Sequence, residues 1–364
     1  MDARAAVLLA ERADPQLVNV QVRPPVDDEL LVRIDAVGIC HTDVSVAARW
    51  PARKLPMVFG HEGVGTVLEA GPLARVEPGR QVVLTFDSCG GCASCGAGRP
   101  AYCERSTVLN LRGDAADETS AFSLGGVALR GGFFGQSSFA THAIVGPANA
   151  VVLAEPLDPA LAAPLGCSVQ TGVGTVLGAM SAGADDALAV FGAGAVGISA
   201  VMAAGIAGCR AIVVVDPIVE RRSLAMELGA TAALDPTVDD VAVQLPELTG
   251  GGPTLAVDTT ALPAVIATAL AVLRSCGTLA LVGLGALNAD LPVGLIMAKG
   301  LRVRGVVEGD SDPQVFIPRL AELVRCGELP LEKVVTRFVL DDFGDAWTAA
   351  KTGAAVKPVV VMPG

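Results

Sequence analysis

The sequence predicts an α/β protein with two domains: a β-rich domain followed by a doubly wound parallel sheet. Three observations carry that expectation. Short alternating or apolar runs, punctuated by Gly and Pro, fill the chain from Ala3 to about Leu157. Beyond Ala160 continuous apolar strands alternate with helical stretches, the pattern of a parallel sheet covered on both faces. A chain of 364 residues is also longer than one ordinary hydrophobic core supports.

In the first part, Glu29 to Ala36, Gly63 to Ala70 and Gln81 to Phe86 read as strands bounded by turn residues such as Glu77-Pro78-Gly79-Arg80. A cysteine-rich excursion runs from Cys89 to Cys103, and Leu109 to Ser138 reads as a long Gly-rich loop. Leu161 to Met180 is rich in small residues and predicts helix interrupted by Gly. Then the alternation begins: strand Ala187 to Phe191, helix Ala195 to Ala207, strand Ala211 to Val215, helix Val219 to Leu228. Thr254 to Asp258, Leu262 to Leu273 and Gly277 to Val282 continue it, and Leu301 to Val307 is a further strand. Helix Phe316 to Cys326 and strand Lys357 to Met362 need not belong to the same unit.

Composition excludes several classes. Hydrophobic residues make up 52% of the chain, enough for large buried sheets and too many for a disordered chain. A formal net charge of −12 weighs against nucleic acid or an anionic membrane as a partner. No apolar run reaches the roughly 20 residues that span a bilayer. Met1 to Ala10 lacks the pattern of a signal peptide and reads as a first strand, so the expected compartment is the cytoplasm. Nine cysteines, an odd count without an export signal, favour metal binding or catalysis over a disulfide framework.

Three motifs carry chemistry. Cys89, Cys92, Cys95 and Cys103, spaced by two, two and seven residues, suit a closed tetrahedral zinc site of structural type. An iron–sulfur cluster or a pair of disulfides is the alternative. The second motif is Gly192-Ala193-Gly194-Ala195-Val196-Gly197 between a strand and a helix, with Asp216 nineteen residues beyond Gly197. This is the dinucleotide fingerprint in its required context. The helix N-terminus faces the phosphates, and Asp216 accepts the ribose hydroxyls and repels a 2′-phosphate, so NAD is favoured. Arg221 leaves room for a minor NADP activity, and Val282, at the end of a later strand, is a further cofactor candidate.

The third motif pairs Cys40 in G-I-C-H-T-D with His61 in F-G-H-E-G, 21 residues apart. With Cys167 in P-L-G-C-S-V-Q-T-G they would form a Cys₂His set, a catalytic zinc pattern with a fourth position open. A free buried Cys and a satisfied core His are the alternative, and spacing alone does not bring Cys167 to a pair more than 100 residues away.

Together the motifs resemble the zinc-dependent alcohol dehydrogenases of the medium-chain dehydrogenase/reductase family, over essentially the whole chain. The resemblance implies a GroES-like catalytic domain from residues 1–168 and 308–364, with a structural zinc lobe at 89–103. A Rossmann NAD-binding domain, 169–307, is inserted between the two segments. It also implies two zinc ions per subunit and supplies the link to Cys167. Gly132 to Thr141, Pro164 to Gly174 and Gly305 to Pro313 look like the aryl-alcohol (benzyl-alcohol) dehydrogenase branch.

By that resemblance Cys40, His61 and Cys167 match the catalytic zinc ligands, and Glu62 a carboxylate behind the metal that transiently approaches it. Asp43 matches the carboxylate that orients the ligand His. Thr42 matches the hydroxyl that starts removal of the alcohol proton, His41 and Lys357 match basic positions at the cofactor pyrophosphate, and Thr171 a nicotinamide contact. One departure is Ser45, where the family's proton relay ends in His; His142 reads as structural.

The expected reaction is reversible NAD-linked oxidation of a primary aryl or allylic alcohol to the aldehyde. Trp50, Phe86 and Leu284 are candidate walls of the substrate pocket, with core packing as the alternative. Two other readings are a thiol-adduct formaldehyde dehydrogenase and a non-catalytic NAD-binding structural or regulatory protein. Family members are homodimers or homotetramers; a dimer is expected here, formed along the edge strand Leu301 to Val307.

Overall fold

Alternating apolar runs in the first 150 residues pair as antiparallel strands, and a late segment of chain returns to join them. The computed structural model describes residues 1–111, 113 and 120–363. One compact unit takes Met1–Cys167, Asp312–Cys326 and Val334–Gly364; the other takes Ser168–Ser311 and Gly327–Lys333.

The larger sheet of the first unit runs Ala150–Val152, Gln81–Leu84, Glu62–Ala70, Leu30–Gly38, Lys357–Val361, Val335–Val339, with His142–Val145 also on Leu30–Gly38. Leu30–Gly38 is the hub. It pairs with Glu62–Ala70 in a register that sets Gly38 opposite Glu62. On its other side Val359 pairs with Gly38, so the C-terminal strand starts beside the end of the hub. A smaller sheet runs Met57–Val58, Asp2–Leu8, Gln16–Val22, Phe122–Leu124, Val127–Leu129. A core containing Phe59, Phe133, Phe139, Phe343 and Trp347 fills this unit.

The stretch Leu109 to Ser138 is not the featureless loop expected. Phe122–Leu124 and Val127–Leu129 form a hairpin on a two-residue Gly125-Gly126 turn, the type that matches strand twist. Phe133–Gly135 is a helical turn. Residues 112 and 114–119 of that stretch lie outside the described residues.

The second unit holds a six-stranded parallel sheet ordered Ala232–Leu234, Ala211–Val215, Ala187–Phe191, Leu255–Asp258, Thr278–Leu281, Arg302–Gly305. Numbered along the chain this is the order 3-2-1-4-5-6 of a dinucleotide-binding sheet. Its central strands are buried throughout. Arg302–Gly305 is an edge. Residues 327–333, expected with the first unit, count with the second: Leu329 and Leu331 are buried and Lys333 pairs with Glu227 at 2.8 Å.

Four helices of seven or more residues escape the sequence reading among the described residues: His41–Ala47, Val241–Leu248, Val293–Lys299 and Phe343–Thr352. Val241–Leu248 contains Pro246, a residue that argues against helix, yet it is capped by Asp240, whose carboxylate accepts the Ala242 and Val243 N–H groups. Phe343–Thr352 ends at Gly353 in the left-handed conformation. Among the described residues no single helix is long and apolar enough to cross a membrane.

Phe59, fully buried, meets the Trp50 and Phe133 rings edge-on at 5.2 and 4.9 Å, two residues before His61. Phe59→Ala should cost about 3–5 kcal/mol, read as a lowered midpoint in chemical unfolding; a loss below 1 kcal/mol would show that this cluster is not a core.

Candidate active site

The site begins at a helix cap. Cys40 is the extended residue before helix His41–Ala47, and Asp43, in the first turn, folds back so that Oδ2 accepts the Cys40 N–H at 3.0 Å. Its other oxygen, Oδ1, lies 2.8 Å from His61 Nδ1. An ionised carboxylate only accepts, so Nδ1 donates to Asp43 and Nε2 is the nitrogen left to ligate a metal. Nε2 is buried and has no hydrogen-bond partner among the described residues. An orphaned nitrogen in a site where Asp43 and His61 are almost fully buried is costly unless it ligates something.

The thiols of Cys40 and Cys167, a His61 nitrogen and a Glu62 oxygen all lie within 4.8 Å of one another. Cys167 reaches this cluster from the break after the helical turn Ala163–Gly166, where Thr85 Oγ1 donates to the Gly166 carbonyl at 2.7 Å. Two thiols and an imidazole so placed fit zinc. Without a cation the set stays charged: a hydrogen bond with Cys167 holds the Cys40 thiol well below its ordinary pKa despite burial, and Lys357's charge adds to this. Burial pulls His61 down, but Asp43 outweighs it and raises the imidazole well above its ordinary value. A metal would displace that proton.

Lys357 was expected at the cofactor pyrophosphate. Instead its side chain is 2% exposed, with Nζ 2.9 and 2.8 Å from the two Glu62 oxygens. Its strand begins beside the metal-ligand cluster, and its buried ammonium meets the Glu62 carboxylate there. Burial alone lowers Lys357, yet Glu62 and the two thiols raise it above the ordinary lysine range. Burial pushes Glu62 up, against Lys357.

Sequence reasoning missed two further residues. Gln136 Nε2 donates to the His61 and Thr85 carbonyls, both at 3.0 Å, and Oε1 accepts from Gly63 N–H and Ser138 Oγ. It fixes the backbone around the ligand His from all its bonding positions. The Phe134 ring stacks on His61 with centroids 4.6 Å apart. Both sit in Gly132 to Thr141, a run that the sequence marks only by its phrasing.

The other predicted residues divide. Thr42 is half-buried and His41 exposed on the same helix. Trp50 is in the core, its Nε1 donating to the Lys54 carbonyl at 3.0 Å; Phe86 is buried and Leu284 exposed. Ser45 is half-buried and its carbonyl accepts from Arg49 Nε. His142 pairs across strands with Arg33; burial and the Arg33 charge lower its pKa, which suits a structural role.

Cys89, Cys92, Cys95 and Cys103 bring their sulfurs within 4.8 Å of one another, and all four are free thiols. The Cys89 and Arg105 N–H groups point at the Cys103 sulfur, those of Cys95 and Glu104 at the Cys92 sulfur. Such donors stabilise thiolate: they lower Cys92 to about 6, while burial and neighbouring thiols push Cys95 up to about 12. Four such ligands fit a closed zinc site.

In the second unit Phe191 leads into the glycine turn and helix Ala195–Ile206. A Cβ on Gly197 would lie 1.9 Å from the Gly192 carbonyl oxygen, so packing requires glycine there. Gly194 differs: its φ of −73° suits any residue and an added Cβ would meet nothing within 4 Å. Its missing side chain leaves room for a ligand at a helix N-terminus. Asp216 accepts the Ala193 N–H at 2.7 Å and the Ile218 N–H at 2.8 Å, which leaves each oxygen a further acceptor position. Arg221 is in the following helix, half-buried, and Ala195 and Val196 open the first turn. Val282 N–H bonds the Asp258 carbonyl at 2.9 Å. Thr171 Oγ1 donates to Glu308 at 3.2 Å.

Comparison with known proteins agrees with this geometry. Residues 26–155 match the model of the alcohol dehydrogenase GroES-like domain, and 195–324 that of the zinc-binding dehydrogenases. A geraniol dehydrogenase of Castellaniella defragrans is 41% identical over 367 aligned positions, 100% of this chain and 98% of that protein. The chain belongs to the zinc-dependent alcohol dehydrogenases of the medium-chain dehydrogenase/reductase family. Among solved structures, an alcohol dehydrogenase zinc-binding domain protein from Burkholderia ambifaria superposes with a TM-score of 0.96 at 40% identity, covering both chains completely. Benzyl alcohol dehydrogenase from Acinetobacter calcoaceticus gives 0.95 at 34%, again over 100% of both.

For this dehydrogenase the two glycines separate packing from ligand approach. Gly194→Ala should stay within about 0.5 kcal/mol of the parent in stability, yet weaken NAD binding by about tenfold or more, roughly 1.4 kcal/mol. Gly197→Ala should lose about 1–3 kcal/mol of stability as well. Calorimetric titration with NAD alongside chemical unfolding checks both; parent-like NAD affinity in Gly194→Ala would remove Gly194 from the cofactor site.

Proposed function

We propose that this dehydrogenase catalyses reversible oxidation of primary aryl or allylic alcohols with NAD: alcohol plus NAD⁺ gives aldehyde, NADH and a proton. One observation carries the reading. The orphaned His61 Nε2 closes on two thiols beneath the face of an aromatic ring, Phe134: a metal-ligand set with an apolar, flat neighbour. Geraniol is an allylic alcohol and benzyl alcohol an aryl one, so the names of the two relatives support the same class.

When bound, zinc supplies a Lewis acid for the alcohol oxygen and the nicotinamide accepts the hydride. The chain's own residues do the rest. Cys40, His61 and Cys167 hold the metal, and two thiolates offset its charge. Asp43 fixes the His61 tautomer and ring orientation. Thr42 Oγ1 takes up the hydroxyl proton and passes it on; with Ser45 in place of a relay His, it leaves to water. Glycine at 194 admits the pyrophosphate, and Asp216 binds the adenosine ribose and disfavours NADP by like charge. The Cys89–Cys103 lobe takes the second, structural zinc. Arg302–Gly305 is an edge strand of its sheet, and Leu287, Val293 and Met297 of the same unit are 93, 72 and 79% exposed; a homodimer would cover them.

A spectrophotometric panel of alcohols with NAD and NADP, alongside metal analysis, tests this. Benzyl alcohol and geraniol should exceed ethanol in kcat/KM by at least about tenfold, the worth of burying about two methylenes. NADP should fall about a hundredfold below NAD, since like charges juxtaposed cost several kcal/mol. Two zinc ions per subunit are expected. Turnover of formaldehyde only with added thiol, or one zinc and no turnover, would overturn the reading.

A further inference from the structure

The donor cluster holds four protein ligands, not three. A Glu62 oxygen lies within 4.8 Å of the Cys40 and Cys167 sulfurs and the His61 nitrogen, and four protein donors make a closed tetrahedral site with no place for a substrate. Something must decide whether Glu62 joins. Two features converge on it. Lys357 Nζ grips both carboxylate oxygens, at 2.9 and 2.8 Å, with side chains 2% and 0% exposed. Gly38 lies opposite Glu62 in the sheet register, and a Cβ there would sit 2.1 Å from Glu62 Oε2. The carboxylate rests where it does because residue 38 has no side chain and residue 357 carries a buried cation.

We propose that Lys357 is a positioning residue that holds the Glu62 carboxylate over Gly38 and so keeps one position of the metal open to substrate. The proposal rests on the zinc reading of Cys40, His61 and Cys167. Two thiolates and the carboxylates of Glu62 and Asp43 already exceed the charge of a dication and one ammonium, Asp43 being held by the Cys40 N–H and the His61 Nδ1–H, so losing the ammonium leaves Glu62 more strongly drawn to the metal. Removing that ammonium takes away the cation that competes with the metal for Glu62, and the carboxylate moves onto the metal.

The test uses full-length protein with cobalt(II) in the Cys40–His61–Cys167 site, zinc in the four-cysteine site, and imidazole as an added ligand. In the parent, imidazole should shift the cobalt visible bands; no shift there would sink the open-site reading itself, and Lys357 with it. In Lys357→Met the shift should vanish, or need at least tenfold more imidazole, and kcat should fall. Lys357→Met combined with Glu62→Gln should restore the shift, and Lys357→Arg should keep it. If Lys357→Met does not fold, Lys357→Gln, which keeps a donor without the charge, is read the same way. A parent-like imidazole response in Lys357→Met or Lys357→Gln, or a double variant that stays closed, overturns the proposal.

Discussion

The catalytic unit depends on one carboxylate. Asp43 accepts the Cys40 N–H with one oxygen and the His61 Nδ1–H with the other. The first bond satisfies a helix N-terminus that would otherwise expose an unpaired donor in the interior. The second sets which imidazole nitrogen is left to ligate a metal. The same residue thus caps a helix and aims two ligands from different segments at one point. Its burial is tolerable because both oxygens are engaged and because the helix N-terminus favours negative charge. The short helix His41–Ala47 therefore exists chiefly to hold this geometry.

Sheet register does the remaining positioning. Leu30–Gly38 delivers Cys40 just beyond its end, Glu62–Ala70 delivers His61 just before its start, and the Gly38–Glu62 pairing brings the two together. A slip of one residue would turn Glu62 to the other face. The C-terminal strand then adds Lys357 from nearly 300 residues away. A buried ion pair of this kind is weak as a stabiliser, since desolvation offsets much of the attraction; removing one partner costs about 3–5 kcal/mol. Its value lies in placing a carboxylate.

Much of this was legible in the sequence for physical reasons. Buried parallel strands read as continuous apolar runs, so Ala187–Phe191 and Ala211–Val215 were found at their boundaries. The cysteine spacing and the glycine turn are short-range signals, fixed by local geometry. What could not be read were contacts across the chain. Spacing could not bring Cys167 to Cys40, and only the resemblance did. Lys357 carried no mark that it would be buried against Glu62. Val241–Leu248 was hidden because Pro246 speaks against helix, while its Asp240 cap is an ordinary acid in a polar stretch.

Two runs that stood out in the sequence by phrasing alone have a common physical cause. Phe134 and Ser137 in the first, and Glu308 and Asp310 in the second, have positive φ without being glycine, a conformation that costs about 1–2 kcal/mol for each residue. Such strain persists only where surrounding bonds over-determine it. Ser137 Oγ donates to the Val58 carbonyl and accepts the Phe133 N–H, which holds the turn that lays Phe134 on His61. Glu308 accepts from Gln170 and Thr171 together, which holds the Thr171 hydroxyl in one direction. Each strained turn therefore holds a side chain against another residue: Phe134 against His61 in the first, Glu308 against Thr171 in the second. Substituting glycine would relieve the backbone and free those side chains.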